Sequence, residues 1–206
     1  MISLFINNTQ VNVPAGTSIL QACEALKINV PRFCFHSRLL IAGNCRMCLV
    51  EVEKMPKPIA ACAMPVEMSM RVFTKSFLVD KARESVLEFL LINHPLDCPV
   101  CDQGGSCDLQ EQSFTYGSDN SRFYSLNKKN LFNPYWGPVV NTLINRCIYC
   151  TRCVRFMNEV AGFFSLGLCG RGASSEIGVF FLQKRLSTFF SGNVVDLCPV
   201  GFLYTK

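Results

Sequence analysis

The chain of 206 residues is short of charge: 17% are Asp, Glu, Lys or Arg, against roughly 25% in an ordinary soluble domain. It also lacks any run of the roughly 18 to 20 apolar residues that cross a bilayer as a helix. Half of its residues are nonetheless hydrophobic, and mean hydropathy is +0.25. The uncharged stretch 130–145 is interrupted by Pro134, Pro138 and four Asn. A transmembrane segment is therefore not expected, and the surplus apolar surface is expected to be buried against partner chains. No dense Lys/Arg block accompanies the net charge of +5, which argues against nucleic acid as a partner. There is no G-x-G-x-x-G fingerprint of the kind that seats a dinucleotide. After Met1 no signal-peptide pattern or Arg/Ser-rich transit segment is legible, so a reducing compartment is expected.

What the chain has in quantity is cysteine, thirteen in all. An odd count suits a closed disulfide framework poorly, and in a reducing compartment so many thiols point to metal. Around them the pattern is α+β. Residues 2–7 and 10–13 alternate about Asn7-Asn8-Thr9 and predict a β-hairpin. Thr17 or Ser18 caps a helix that turns Ile19, Leu20, Ala22, Cys23 and Leu26 to a core. Segments 48–53 and 59–64 read as short strands, closing a small sheet domain over 1–78. Residues 80–93 predict the best helix. Its apolar side carries Ala82, Val86, Leu87, Leu90 and Leu91, with Lys81, Arg83, Glu84 and Glu88 opposite. Pro95 ends it and a cysteine-rich loop follows. Residues 117–140 read as irregular, a further helix is expected from Cys153 to Ala161, and 163–206 alternates short apolar runs with Gly turns.

Three constellations use twelve ligand-type residues. The first is Cys34, Cys45, Cys48 and Cys62, C-x10-C-x2-C-x13-C. One CxxC with a distant fourth Cys is a variant of the plant-type 2Fe–2S ferredoxin pattern, with zinc as the alternative, although four-Cys zinc sites usually offer two CxxC knuckles. The second is His94, Cys98, Cys101 and Cys107, H-x3-C-x2-C-x5-C. It suits a three-Cys, one-His zinc site or a 4Fe–4S cube with one imidazole. The third is Cys147, Cys150, Cys153 and the remote Cys198 in Cys-Pro; C-x2-C-x2-C is an iron–sulfur spacing that zinc rarely uses. Cys23 is expected to be a packing residue. Cys169 has no partner spacing, and His36 reads as an ordinary surface or core histidine.

The segments GNCRMCLVEVEK, ACAMPV, FLLINHPLDCPVCDQGGSCDLQ, RCIYCTRCVRF and SGNVVDLCPVGFL closely resemble the iron–sulfur part of the large, 75 kDa-type subunits of respiratory complex I, NADH:ubiquinone oxidoreductase. The resemblance covers nearly the whole chain and fills all twelve ligand positions. It implies a ferredoxin-like β-grasp 2Fe–2S domain (1–78), a helical His–Cys 4Fe–4S module (79–118) and a ferredoxin-like 4Fe–4S module (119–206). It implies one 2Fe–2S and two 4Fe–4S clusters and an electron route from a flavin/NADH-binding subunit toward quinone through a further iron–sulfur subunit. No catalytic site is expected in the isolated chain. The family continues into a large domain, whereas this chain stops at Lys206, so a separate chain carrying that domain is an expected partner. The absence of a transit segment, with 17 Phe against 10 Ala, suggests an organelle-encoded protein on the matrix side of the mitochondrial inner membrane. The bacterial cytoplasmic face is the alternative. Two rivals remain: a diaphorase-linked subunit of an NAD-reducing hydrogenase or formate dehydrogenase, and a multi-zinc interaction scaffold.

Overall fold

Two Asn residues with positive φ, Asn7 (47°) and Asn8 (69°), make the two-residue turn of the first hairpin, the conformation that matches strand twist and that Asn tolerates. They join β1 (Ile2–Ile6) to β2 (Thr9–Val13) in antiparallel register, Ile6 opposite Thr9. The structure, a computed structural model, describes residues 1–123, 128, 130–164, 166–179, 186 and 188–205. The chain divides into two compact units, of which the first comprises Met1–Phe35, Ile41–Phe89 and Gln112–Asn120.

In that unit Ser18 caps α1 (Ile19–Ala25) through a reciprocal box: its hydroxyl accepts from the Gln21 amide, and the Gln21 side chain accepts from the Ser18 amide. Then come β3 (Leu49–Val52), β4 (Ile59–Ala60) and β5 (Arg71–Phe73). The sheet order is β2-β1-β5-β3-β4, with β1 and β5 parallel and the other pairs antiparallel. Leu4, Ile6, Val50, Val52 and Val72 meet Ile19, Leu20, Ala22 and Cys23 in one core. The strand expected over 59–64 stops at Ala60, because the amides of Ala63 and Met64 turn back to the Ala60 carbonyl. β5 was not anticipated: its three residues are too few for an alternation to register.

α2 (Phe77–Leu91) corresponds to the expected helix, but its buried stripe is Val79, Arg83 and Leu87. Arg83, expected on the polar side, is 2% exposed. Its stem lies along the apolar surface, as long cationic side chains allow, and its head donates to the Leu49 carbonyl at 3.0 Å.

The second unit comprises His36–Leu40, Leu90–Glu111 and Ser121–Lys206. A 3-10 turn at Cys98–Val100 precedes α3 (Asp108–Tyr116), a helix hidden within what the sequence suggests is loop. α2 and α3 each run from one unit into the other, so the segment 79–118 is shared between the units. β6 (Val140–Thr142) leads through a 3-10 turn at Ile144–Arg146 to α4 (Arg152–Glu159), whose first turn holds Cys153. β7 (Leu166–Cys169) pairs with β8 (Glu176–Val179). After α5 (Asn193–Leu197), β9 (Leu203–Thr205) pairs with β6. Trp136 and Phe202, both buried, stack edge to face at 5.3 Å in the core of this unit. Among the described residues no helix is long and apolar enough to cross a membrane.

Candidate metal centres

The first tetrad lies in the first unit, with Cys34, Cys45 and Cys48 ahead of β3 and Cys62 in the turn after β4. Cys34, Cys48 and Cys62 are buried and Cys45 is half-buried. The Cys34 sulfur meets the thiols of Cys45 and Cys62, and Cys62 also meets Cys48, so the four are linked side chain to side chain. Gly43 (φ 63°) and Arg46 (φ 59°) take left-handed backbone. At Arg46 that conformation costs about 1–2 kcal/mol. The return is amides turned toward sulfur: the Cys34 amide reaches Cys45 Sγ at 3.4 Å, and the Asn44 and Met47 amides face Cys34 and Cys45. The neighbouring thiols pull Cys34 well below the ordinary thiol range, and the Cys62 thiol brings Cys48 down to about 7. Thiolate held between thiols is a donor set arranged for a cation.

The second tetrad lines one cavity of the second unit, with Gly104, Arg146 and Gly201. Burial, with Lys128 and Arg146 nearby, pushes the His94 pKa down to about 4, so its ring is neutral. Its Nδ1 is buried and has no hydrogen-bond partner. A buried lone pair or N–H without a partner costs about 1–3 kcal/mol, a cost that a ligated metal removes. Lys128 Nζ closes the C-terminal end of α2, donating to the carbonyls of Leu91, Ile92 and His94 at 3.0, 3.2 and 2.7 Å. Arg146, buried, pairs with Asp97 at 3.1 Å. Cys107 sits at the start of α3; burial raises its thiol, and the Gln110 and Leu109 amides that face its sulfur offset part of that rise. The Pro199 carbonyl accepts from the Asp108 amide at 3.1 Å and from the Cys107 thiol at 3.8 Å.

The third tetrad, Cys147, Cys150, Cys153 and Cys198, lines a second cavity whose other walls include Ile148, Ile177, Val200 and Phe202. Burial in this apolar pocket raises the Cys147 and Cys153 thiols well above the ordinary range, and Cys198 to about 11. Four thiolates there require compensating cations. Tyr149 (φ 54°) and Thr151 (φ 60°) are left-handed between the ligand positions, and the Tyr149 amide reaches Cys147 Sγ at 3.4 Å.

Among the described residues no three His, Cys, Asp or Glu side chains are arranged to hold a single metal ion. The fit therefore rests on the donor sets: cysteine-rich tetrads, amides aimed at sulfur, and an orphaned imidazole nitrogen beside three cysteines. These features suit polynuclear iron–sulfur clusters. Cys23 lies in the core of the first unit and Cys169 is exposed on β7 opposite Glu176. Sequence reasoning missed Gly201, Arg146 with Asp97, and Lys128. The only signal for them was proximity: Gly201 lies in the Cys-Pro-Val-Gly segment and Arg146 directly precedes Cys147.

A protein of this construction is an iron–sulfur protein, and three family models match along it in the order of the three tetrads. Residues 1–76 match a 2Fe–2S iron–sulfur cluster binding domain. Residues 83–122 match the iron–sulfur binding region of NADH-ubiquinone oxidoreductase-G, and 137–204 the ferredoxin-like domain of NADH-quinone oxidoreductase subunit 3. Over all 206 residues the chain is 57% identical to the NADH-ubiquinone oxidoreductase 75 kDa subunit of Reclinomonas americana. It is 55% identical to the mitochondrial NADH dehydrogenase (ubiquinone) iron–sulfur protein 1 of Solanum tuberosum and 52% to an NADH-quinone oxidoreductase subunit of Rickettsia felis. Over its whole length the chain is thus similar to large complex I iron–sulfur subunits, and it spans 28–30% of the length of these three relatives. In structure it is similar to a chain of an NAD+-reducing NiFe hydrogenase, with a TM-score of 0.89 at 25% identity, covering all of this chain and 87% of that one.

Proposed function

We propose that the chain is an electron conductor of the peripheral arm of an NADH:quinone oxidoreductase. It carries one 2Fe–2S cluster on Cys34, Cys45, Cys48 and Cys62. It carries two 4Fe–4S clusters, one on His94, Cys98, Cys101 and Cys107, and one on Cys147, Cys150, Cys153 and Cys198. When bound, these groups accept and release single electrons. The residues hold the sulfurs in place, aim amides at them, and keep His94 neutral. Electrons enter from a flavin/NADH-binding subunit at the 2Fe–2S centre, pass to the four-Cys cube and then the His-ligated cube, and leave toward quinone through a further iron–sulfur subunit. The remaining length of the relatives is supplied by more of the same polypeptide or by a separate chain, and the assembly faces the mitochondrial matrix or the bacterial cytoplasm.

The single observation that carries this reading is that three complete tetrads are each gathered by the fold, one linked sulfur to sulfur and two lining a cavity each. The mixed sheet with β1 and β5 parallel at its centre and α1 against it supports a β-grasp ferredoxin module over 1–78. Modules over 79–118 and 119–206 follow from the other two tetrads. The hydrogenase likeness favours a second reading, a diaphorase-linked subunit, but identity of 25% there stands against 50–57% to complex I subunits.

Anaerobic isolation should yield about ten irons and ten labile sulfides per chain, with separate paramagnetic signals for one 2Fe–2S and two 4Fe–4S centres. Stoichiometric zinc, or about six irons, overturns it. Co-isolation with NADH:quinone rather than NAD-linked hydrogenase activity decides between the two readings.

A further inference from the structure

A buried guanidinium without a carboxylate is an expensive thing to keep inside a domain, since desolvating a charge costs several kcal/mol unless an opposite charge offsets it. Arg83 is such a group. It is 2% exposed. One nitrogen donates to the Leu49 carbonyl at 3.0 Å, the guanidinium lies 5.3 Å from the centre of the Tyr116 ring, and Nε is buried without a partner. Among the described residues no carboxylate forms an ion pair with it. Asp80, one turn earlier on α2, is exposed. The hydrogen bond and the ring contact are too weak to offset a buried charge.

The groups with which it interacts electrostatically are, in falling order, Tyr116, Asp80, Cys48 and Cys23. Of these Cys48 is a ligand position of the first tetrad, and Leu49, whose carbonyl accepts from Arg83, directly follows it. All of these residues belong to the first unit. A 2Fe–2S cluster on four thiolates is a dianion when both irons are ferric and a trianion after taking up one electron. We propose that Arg83 is the built-in counter-charge of the 2Fe–2S centre, a positioning residue that raises its reduction potential by stabilising the extra negative charge of the reduced state. The inference rests on the proposed cluster at Cys34, Cys45, Cys48 and Cys62. The couple is one electron, with no proton and no bond made or broken, and the reductant is the upstream flavin subunit or, in the assay, dithionite.

The test is a redox titration of the cluster-loaded full chain, followed by the paramagnetic signal of the reduced 2Fe–2S centre. Arg83→Met keeps the apolar stem and removes the charge. Arg83→Gln removes the charge but keeps a donor for the Leu49 carbonyl. Arg83→Lys keeps the charge. Both neutral variants should lower the reduction equilibrium constant about tenfold, a fall of about 59 mV for a one-electron couple, while Arg83→Lys stays near the unsubstituted chain. Signals of the 4Fe–4S centres in the same sample serve as the internal reference. A 2Fe–2S signal whose potential is the same in the neutral variants, or rises, overturns the inference. So does an equal fall in Arg83→Lys, which would mark a role in packing. An unsubstituted chain with no 2Fe–2S signal overturns the proposed cluster itself, and the inference with it.

Discussion

Gly201 offers a test of the second centre through a residue that is not a ligand. A methyl built on its α-carbon would interpenetrate Cys101 Sγ and lie 3.3 Å from Gln103 Cβ. Ordinary carbon contacts begin near about 3.5–4.0 Å, so the sulfur or the chain must give way. The backbone of Gly201 is not in the left-handed region, so alanine is tolerated conformationally and the effect is steric alone. Overpacking of this size costs about 1–3 kcal/mol, or about 5- to 150-fold in an equilibrium. The cheapest relief is to turn the Cys101 thiol away, which leaves a folded chain with a displaced ligand. Gly201→Ala should therefore lose most of the His-ligated 4Fe–4S signal and up to about four irons. The 2Fe–2S signal and far-ultraviolet dichroism should be kept. Gly105→Ala is the control. Gly105 is left-handed at φ 86° with nothing within 4 Å of the added methyl, so that variant should strain the loop between Cys101 and Cys107 by about 1–2 kcal/mol without evicting the cluster. Gly201→Ala with full iron and an unaltered signal would refute the reasoning, as would Gly105→Ala losing the cluster in its place.

Cys150→Ser should abolish one 4Fe–4S signal and destabilise the second unit while sparing the 2Fe–2S spectrum; His94→Ala should remove or shift the other 4Fe–4S signal, and three unchanged signals would exclude His94 as a ligand. Ser18→Ala breaks the capping box of α1 and should cost about 1 kcal/mol in denaturant unfolding of the cluster-loaded chain. Cys23 supplies a pH test. Burial raises its thiol to about 11, so above the ordinary thiol pKa near 9 the unfolded chain has lost a proton that the folded chain keeps. Stability should fall with rising pH by up to about 1.4 kcal/mol per unit until about pH 11. Cys23→Ala should remove that alkaline loss relative to the unsubstituted chain, and parallel pH profiles would count against it.

How much of this was legible in the sequence depended on how local the cause was. Asn7-Asn8, Ser18 with Gln21, and the apolar spacing of 19–23 act within a few residues, and each produced the element expected of it. β5 and α3 were not legible. β5 is three residues long and gains its place by pairing with both β1 and β3. α3 carries one buried residue, Leu109, and is tied down by Gln112 donating to the Arg32 carbonyl at 3.0 Å. Arg83 was misplaced for a related reason. Periodicity counts arginine as polar, and nothing nearby in the sequence says that the Leu49 carbonyl and the Tyr116 ring will meet it. Ligand candidates were easier, because spacing along a loop constrains where its sulfurs can go.

The supporting groups at the centres share a logic that spacing does not encode. In the loops that carry the cysteines, Arg46, Tyr149 and Thr151 are held in left-handed backbone, each at a cost of about 1–2 kcal/mol. The Tyr149 amide gains a sulfur acceptor, while the thiols of that pocket are raised by burial. Such a loop is poised for anionic sulfur and loses its rationale when the sulfurs are protonated thiols. The segment from Cys198 to Gly201 extends the argument. Cys198 and Val200 line the cavity of the third tetrad, Pro199 accepts from Asp108 and Cys107, and Gly201 leaves room for the Cys101 sulfur. Four consecutive residues thus serve two tetrads of the same unit. A displacement that accommodates one cluster is felt at the other, so filling of the two 4Fe–4S sites should be cooperative.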